Sequence, residues 1–174
     1  MQICEQKNEK KNRKGIEFSV FFSDTPYAYK ATKKVPFFEG KIVKKNLTKL
    51  RVRYGETDQM GVVYHGNYLQ YLEEGRTEWL RQLGITYKWM EDNGVHLPVI
   101  DAQLKYKRPA YYDDVLSITT KIRKIPTYRI EFDYEIHNQN KELLVQASTT
   151  LVFMNSETKR PMKAPSYILE KLKE

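Results

Sequence analysis

Cysteine is all but missing from this chain. Cys4 stands alone, which excludes a disulfide framework and a paired-cysteine zinc site, and makes a reducing compartment the expected setting. Long apolar runs are missing too. No stretch approaches the roughly 20 residues needed to cross a bilayer. The charged opening MQICEQKNEKKNRKG is followed only by the short IEFSVFF patch and Ser23-Asp24, a poor signal peptide. The expectation is a soluble, cytoplasmic protein without a membrane span. Glycine is sparse and never gathers into a phosphate-cradling loop, and no His/Cys/Asp/Glu cluster has metal-ligand spacing. No metal or organic cofactor is expected.

What is abundant is positive charge. A net +8 raises the question of nucleic acid, so the location of the charge matters more than its size. Residues 50–174 hold 18 Lys and Arg against 17 Asp and Glu, which leaves nearly the whole excess in the N-terminal part. A Lys-rich terminus is usually a solvated segment, and the balanced remainder has no RNA-binding aromatic motif. Nucleic acid is therefore not an expected partner.

The length suits one domain with a real core. Residues 1–45 read as a basic N-terminal extension, polar and expected to be disordered up to about Lys14. From Ile16 to Gly40 it holds Phe18, Phe21, Phe22, Tyr27, Tyr29, Phe37 and Phe38, too many rings for a tail that touches nothing. Residues 46–174 read as the folded domain. Leu50, Val52 and Tyr54 alternate with Arg51 and Arg53, which predicts a first strand. Tyr68, Leu69, Tyr71, Leu72, Gly75, Trp79, Leu80 and Leu83 recur at helical spacing until Gly84, a suitable residue just past a helix end. Asn67 is the expected N-cap, with Gln70 as a capping-box partner. Gly75 costs about 1 kcal/mol of helix propensity, which a close approach of another element would offset.

A short second helix is expected from Tyr87 to Asn93, ended by Gly94. Strands follow at Leu97–Tyr106, Val115–Ile125, Arg129–Asn138 and Glu142–Asn155. In the third of these, Ile130, Phe132, Tyr134 and Ile136 alternate with Glu131, Asp133, Glu135 and His137, so one face should meet the core and the other water. Asn138–Lys141 supplies the hairpin turn. A final helix is expected over Ser166–Lys173, capped by Ser166. Strand, helix, then a run of antiparallel strands is an α+β layout.

The densest chemistry lies in RVRYGETDQMGVVYHGNY, Arg51 to Tyr68. An acid, Asp58, precedes a glycine turn, a tyrosine-histidine pair and the helix start. A carboxylate beside a helix N-terminus flanks a natural place for developing negative charge, which suits attack on a thioester carbonyl. On local chemistry alone, Asp58 as the cap of a turn before Gly61 is the favoured reading. Glu56, two residues away, is assigned to solvation or loop geometry.

With Tyr54, Thr57-Asp58, Gly61, Tyr64-His65, Asn67-Tyr68 and Arg76-Thr77-Glu78, the run to Gly84 resembles the signature of the 4-hydroxybenzoyl-CoA thioesterase-like family of hotdog-fold acyl-CoA thioesterases. Weaker likeness extends over Leu104–Ile118 and Tyr128–Pro165. The resemblance implies a hotdog fold, an antiparallel sheet wrapped around one long central helix. It also implies hydrolysis of an acyl-CoA to a carboxylic acid and CoA. Asp58 occupies the position assigned in relatives as general base or nucleophile, and His65 the position whose backbone N–H polarises the carbonyl. Tyr64 and Tyr68 are expected to line or support the acyl pocket, and Asn67 to add a hydrogen bond toward Asp58. Lys107 and Arg108, with Lys105 and the Arg123-Lys124 pair, are candidates for the CoA phosphates. His96 and His137 lack such neighbours.

The resemblance further implies a homodimer or homotetramer with its sites at the subunit interface. Two alternatives stay open: an acyl carrier protein (ACP) as thiol donor, making this an acyl-ACP thioesterase, or a non-catalytic acyl-CoA-binding or scaffold domain. The acyl group itself is not legible.

Overall fold

In chain order the elements are β1 (Lys44–Arg51), α1 (Asn67–Gln82), α2 (Tyr87–Asp92), β2 (Val95–His96), β3 (Val99–Tyr106), β4 (Val115–Ile122), β5 (Arg129–His137), β6 (Leu143–Val152), β7 (Met154–Asn155) and α3 (Ser166–Lys171). They come from a computed structural model that describes residues 44–122 and 124–173. The expectations for residues 1–43 lie outside the described residues.

Five strands make one antiparallel sheet in the order β1-β4-β5-β6-β3, and β2 pairs with β7 in a small ribbon. Helix α1 packs on the sheet over β1 and β4. Its buried face, Tyr68, Tyr71, Leu72, Gly75, Trp79 and Leu80, is the apolar stripe read from the sequence. It meets the inward side chains Leu116, Ile118, Phe132, Tyr134 and Ile136, all fully buried, and Trp79 stands edge-on to Phe132 at 5.1 Å. Gly75 is where helix and sheet come closest. A Cβ there would lie 2.6 Å from Thr120 Oγ1 and 3.0 Å from Ile118 Cγ2. The missing side chain sets the depth at which α1 seats.

Several expectations are corrected. The first strand lies earlier, at Lys44–Arg51, because its inward positions Asn46 and Thr48 are polar and did not read as a buried face; Asn46 Oδ1 accepts from Gln82 Nε2 on α1 at 2.6 Å. Tyr54 has already left the sheet and is 79% exposed. Asn67 is not the N-cap: Gly66 holds that place, and Asn67 is the first helical residue. Ser166 likewise starts α3 without capping it. Thr86, which the sequence did not single out, caps α2 by accepting from the Trp89 amide at 3.1 Å. The outer face of β5 is not wholly wet. Asp133 is buried opposite Lys121 of β4, and Lys121 is paired in turn with Glu135 at 3.4 Å.

Candidate active site

The segment between β1 and α1 is built as a tight reversal. Val52 exchanges backbone hydrogen bonds with the Asp113–Asp114 segment, its N–H to Asp114 O and its carbonyl from Asp113 N–H. A single 3-10 turn, Tyr54–Glu56, follows. The chain then doubles back on itself: Thr57 bridges Val63, Asp58 N–H donates to Val62 O, and Tyr64 N–H donates to Glu56 O, each at 2.9 Å. Gly61, at φ +74°, supplies the left-handed residue the tip requires. Val63 N–H donates to Ala110 O at 2.9 Å, which ties this small hairpin to the segment after β3.

Asp58 sits at the tip, half-buried. Its Oδ1 accepts from the Met60 amide at 2.8 Å, so the turn-capping role is real for one carboxylate oxygen. Among the described residues the other oxygen carries no hydrogen bond. His65 and Gly66 lie at the opposite end of the hairpin, where α1 begins, and among the described residues no acceptor engages either backbone N–H. Unclaimed amides at the start of a 16-residue helix face the positive end of its dipole and can receive an oxyanion. The His65 imidazole is exposed and lies against the Tyr64 ring at 4.2 Å.

The ladder pairs Asp58 with Val62, so the same register sets His65 three steps away. At the usual rise per strand residue that is on the order of 10 Å between backbones.

Glu56 serves loop geometry, as expected. Its Oε2 accepts from the Arg53 amide and from the Tyr71 hydroxyl, both at 2.8 Å. Asn67 is turned toward this residue rather than Asp58, its Nδ2 donating to Glu56 O at 2.8 Å. Burial, then the Glu56 carboxylate beside it, holds the Tyr71 phenol well above its ordinary range. Tyr68 supports the site from below. It is buried, edge-on to Tyr71 at 5.7 Å and to Tyr106 at 5.4 Å, and burial pushes its pKa up to about 12. Tyr64 is half-exposed, and a Cβ on Gly66 would lie 2.8 Å from its ring.

Lys107 and Arg108 lie between Tyr106 and Ala110, both of which touch the site loop, so the fold brings these cations to its edge. Lys107 is exposed, but the Arg108 guanidinium is paired with Glu142. Lys124 is paired with Glu131 at 2.7 Å, and Arg123 lies outside the described residues. Tyr106 was not singled out from the sequence. Its hydroxyl donates to His65 O at 3.0 Å, and the only signal was its inward place in the alternation of β3. A surface concavity of about 550 Å³ runs beside the loop, lined by Lys49, Arg51, Arg53, Tyr54, Glu74 and Tyr112 among others; Asp58 and His65 do not line it.

Residues 52–172 match the family described as the thioesterase-like superfamily. The chain is similar to YneP of Bacillus subtilis (strain 168), provisionally named an acyl-CoA thioesterase, at 38% identity over 66% of this chain and 83% of that protein. It is similar to the acyl-CoA thioester hydrolase YbgC of Escherichia coli O157:H7 at 31% identity over 72% of this chain and 93% of that one. The crystal structure of DHNA-CoA thioesterase from Staphylococcus aureus aligns with a TM-score of 0.66 and 35% identity, covering 68% of this chain and 80% of that chain. Sheet order and matches together establish the α+β hotdog fold.

Proposed function

We infer that this chain, which belongs to the thioesterase-like superfamily, hydrolyses acyl-CoA thioesters to a carboxylic acid and free CoA. The observation that carries the reading is the one hairpin that sets Asp58 at its tip and the unclaimed His65 and Gly66 amides at the start of α1. Thiolate is a good leaving group, so a carboxylate and an oxyanion hole are sufficient chemistry.

In the reaction, Asp58 takes a proton from water as the oxygen adds to the thioester carbon. The carbonyl oxygen becomes an oxyanion held by the His65 N–H and the positive end of α1. Collapse of the adduct expels CoA thiolate, which recovers the proton. Direct attack by Asp58 on the thioester carbon, through an anhydride that water then opens, is the alternative route for the same carboxylate. Single turnover in heavy-oxygen water separates the two. The base route leaves Asp58 unlabelled, whereas label in its carboxylate would mean an anhydride intermediate.

Asp58→Asn separates chemistry from turn-capping, since the amide oxygen still accepts from Met60 N–H. We expect kcat to fall by about a thousandfold or more with thermal stability nearly unchanged, read with a thiol-trapping dye over a panel of acyl-CoA and acyl carrier protein thioesters. Undiminished turnover would remove Asp58 from the mechanism. Saturable binding without CoA release by the wild type would instead favour a non-catalytic acyl-CoA-binding domain.

The active form is proposed to be at least a dimer, joined along the outer edge of β3. That edge exposes Val99 and Ile100, whereas the other end of the sheet, β1, is guarded by Lys45, Lys49 and Arg51. Lysine-rich edges resist strand addition and apolar ones invite it.

A further inference from the structure

Three phenols hold the site loop, and they hold it in different ways. Tyr71 binds the Glu56 side chain, Tyr68 packs edge-on between Tyr71 and Tyr106, and Tyr106 alone binds a backbone carbonyl next to the unclaimed amides, His65 O at 3.0 Å. That carbonyl belongs to the peptide unit whose N–H is Gly66. Peptide planes are rigid, and this one is trans, so its N–H points opposite its C=O. Fixing the oxygen fixes the direction of the Gly66 N–H. A hydrogen bond accepted at the oxygen also polarises the N–H at the other end of the unit.

We propose that Tyr106 is a positioning residue for thioester hydrolysis: its hydroxyl orients and polarises the His65–Gly66 peptide so that the Gly66 N–H serves as a second oxyanion donor beside the His65 N–H. Glycine at 66 fits this role. Its φ of −67° and ψ of −27° are open to any residue, so conformation does not demand glycine there. What it supplies is an amide with no side chain between it and the Tyr64 ring. Tyr106 is itself steadied by its edge-on contact with Tyr68, and burial holds its phenol protonated above the ordinary tyrosine range. A donor that stays protonated throughout the neutral range is what the arrangement requires.

The proposal rests on the thioesterase reading, and its test keeps the two apart. Wild type, Asp58→Asn and Tyr106→Phe are compared on one acyl-CoA and on an activated aryl thioester of the same acyl group with the thiol-trapping assay, alongside thermal unfolding. Phenylalanine keeps the ring against Tyr68 and removes only the donor. Losing an oxyanion donor outright costs about a hundred- to a thousandfold in kcat; weakening one through a peptide should cost about tenfold, with KM within about twofold and the melting temperature nearly unchanged. Tyr106 in such a role also predicts a larger loss with an alkyl thioester than with an activated aryl thioester, whose better leaving group relies less on a stabilised oxyanion. An unchanged kcat, or a loss that tracks lowered stability equally for both thioesters, would overturn it. Wild type without turnover on any thioester would overturn the functional reading instead.

Discussion

At the scale of single residues, the site was legible where chemistry is carried by residue type and order, and hidden where it is carried by partners. Asp58, His65 and Asn67 stand out because their spacing matches a motif. That Asn67 bonds Glu56 O rather than Asp58, and that Tyr106 reaches His65, depends on which strand ends where, and no spacing in the chain encodes a contact across 41 residues. Tyr68 shows what such hidden burial does to titration. Its folded pKa of about 12 stands above the ordinary tyrosine value of 10, so between those values the unfolded chain has released a proton the folded one keeps. Its contribution is fully present below pH 10 and is lost as pH rises toward about 12. Tyr68→Phe should lessen the alkaline decline by up to about 1.4 kcal/mol per pH unit in that window, measured by urea unfolding at a series of pH values. Parallel declines in the two proteins would mean that the phenol titrates normally.

At the scale of elements, periodicity exposed what is uniformly apolar and missed what is buried but polar. Strand β5 was readable because Ile130, Phe132, Tyr134 and Ile136 never break step, while β1 was displaced because Asn46 and Thr48 fill its inward positions. Gly75 was flagged by its propensity cost and by the close approach expected to offset it, and the structure shows that approach. In an exposed helix, Gly→Ala gains about 1 kcal/mol. Here the new methyl would meet Thr120 Oγ1 at 2.6 Å and Ile118 Cγ2 at 3.0 Å, and overpacking of that kind costs about 1–3 kcal/mol. Gly75→Ala should therefore destabilise the fold by chemical denaturation, and Thr120→Ala in the same chain should restore part of the loss. A more stable Gly75→Ala protein would show that α1 can lift off the sheet at no cost.

At the scale of the whole molecule, the layout of one helix on one sheet followed from the order of elements, but the wrapping of the sheet did not, because periodicity records which side of a strand is buried and not how strands order themselves. Strand order matters for assembly, since it decides which strands become edges. It places β3 at one edge and β1 at the other, so the edge rich in Lys and Arg and the edge bearing Val99 and Ile100 are unequal candidates for pairing. Strand β3 also ends in Tyr106, whose hydroxyl reaches the His65 carbonyl. An edge that is paired along its length is stiffer than a free one, and the phenol at its end should then be held more firmly against the oxyanion peptide. Ile100→Lys places a charge on the apolar edge without touching Asp58, His65 or Tyr106. Sedimentation velocity should show the wild type as a dimer or larger and the variant shifted toward monomer, with kcat reduced and recovering as protein concentration is raised. A variant that stays assembled would move the interface off β3, and a fully active monomer would show that the hairpin and α1 complete the site within one chain.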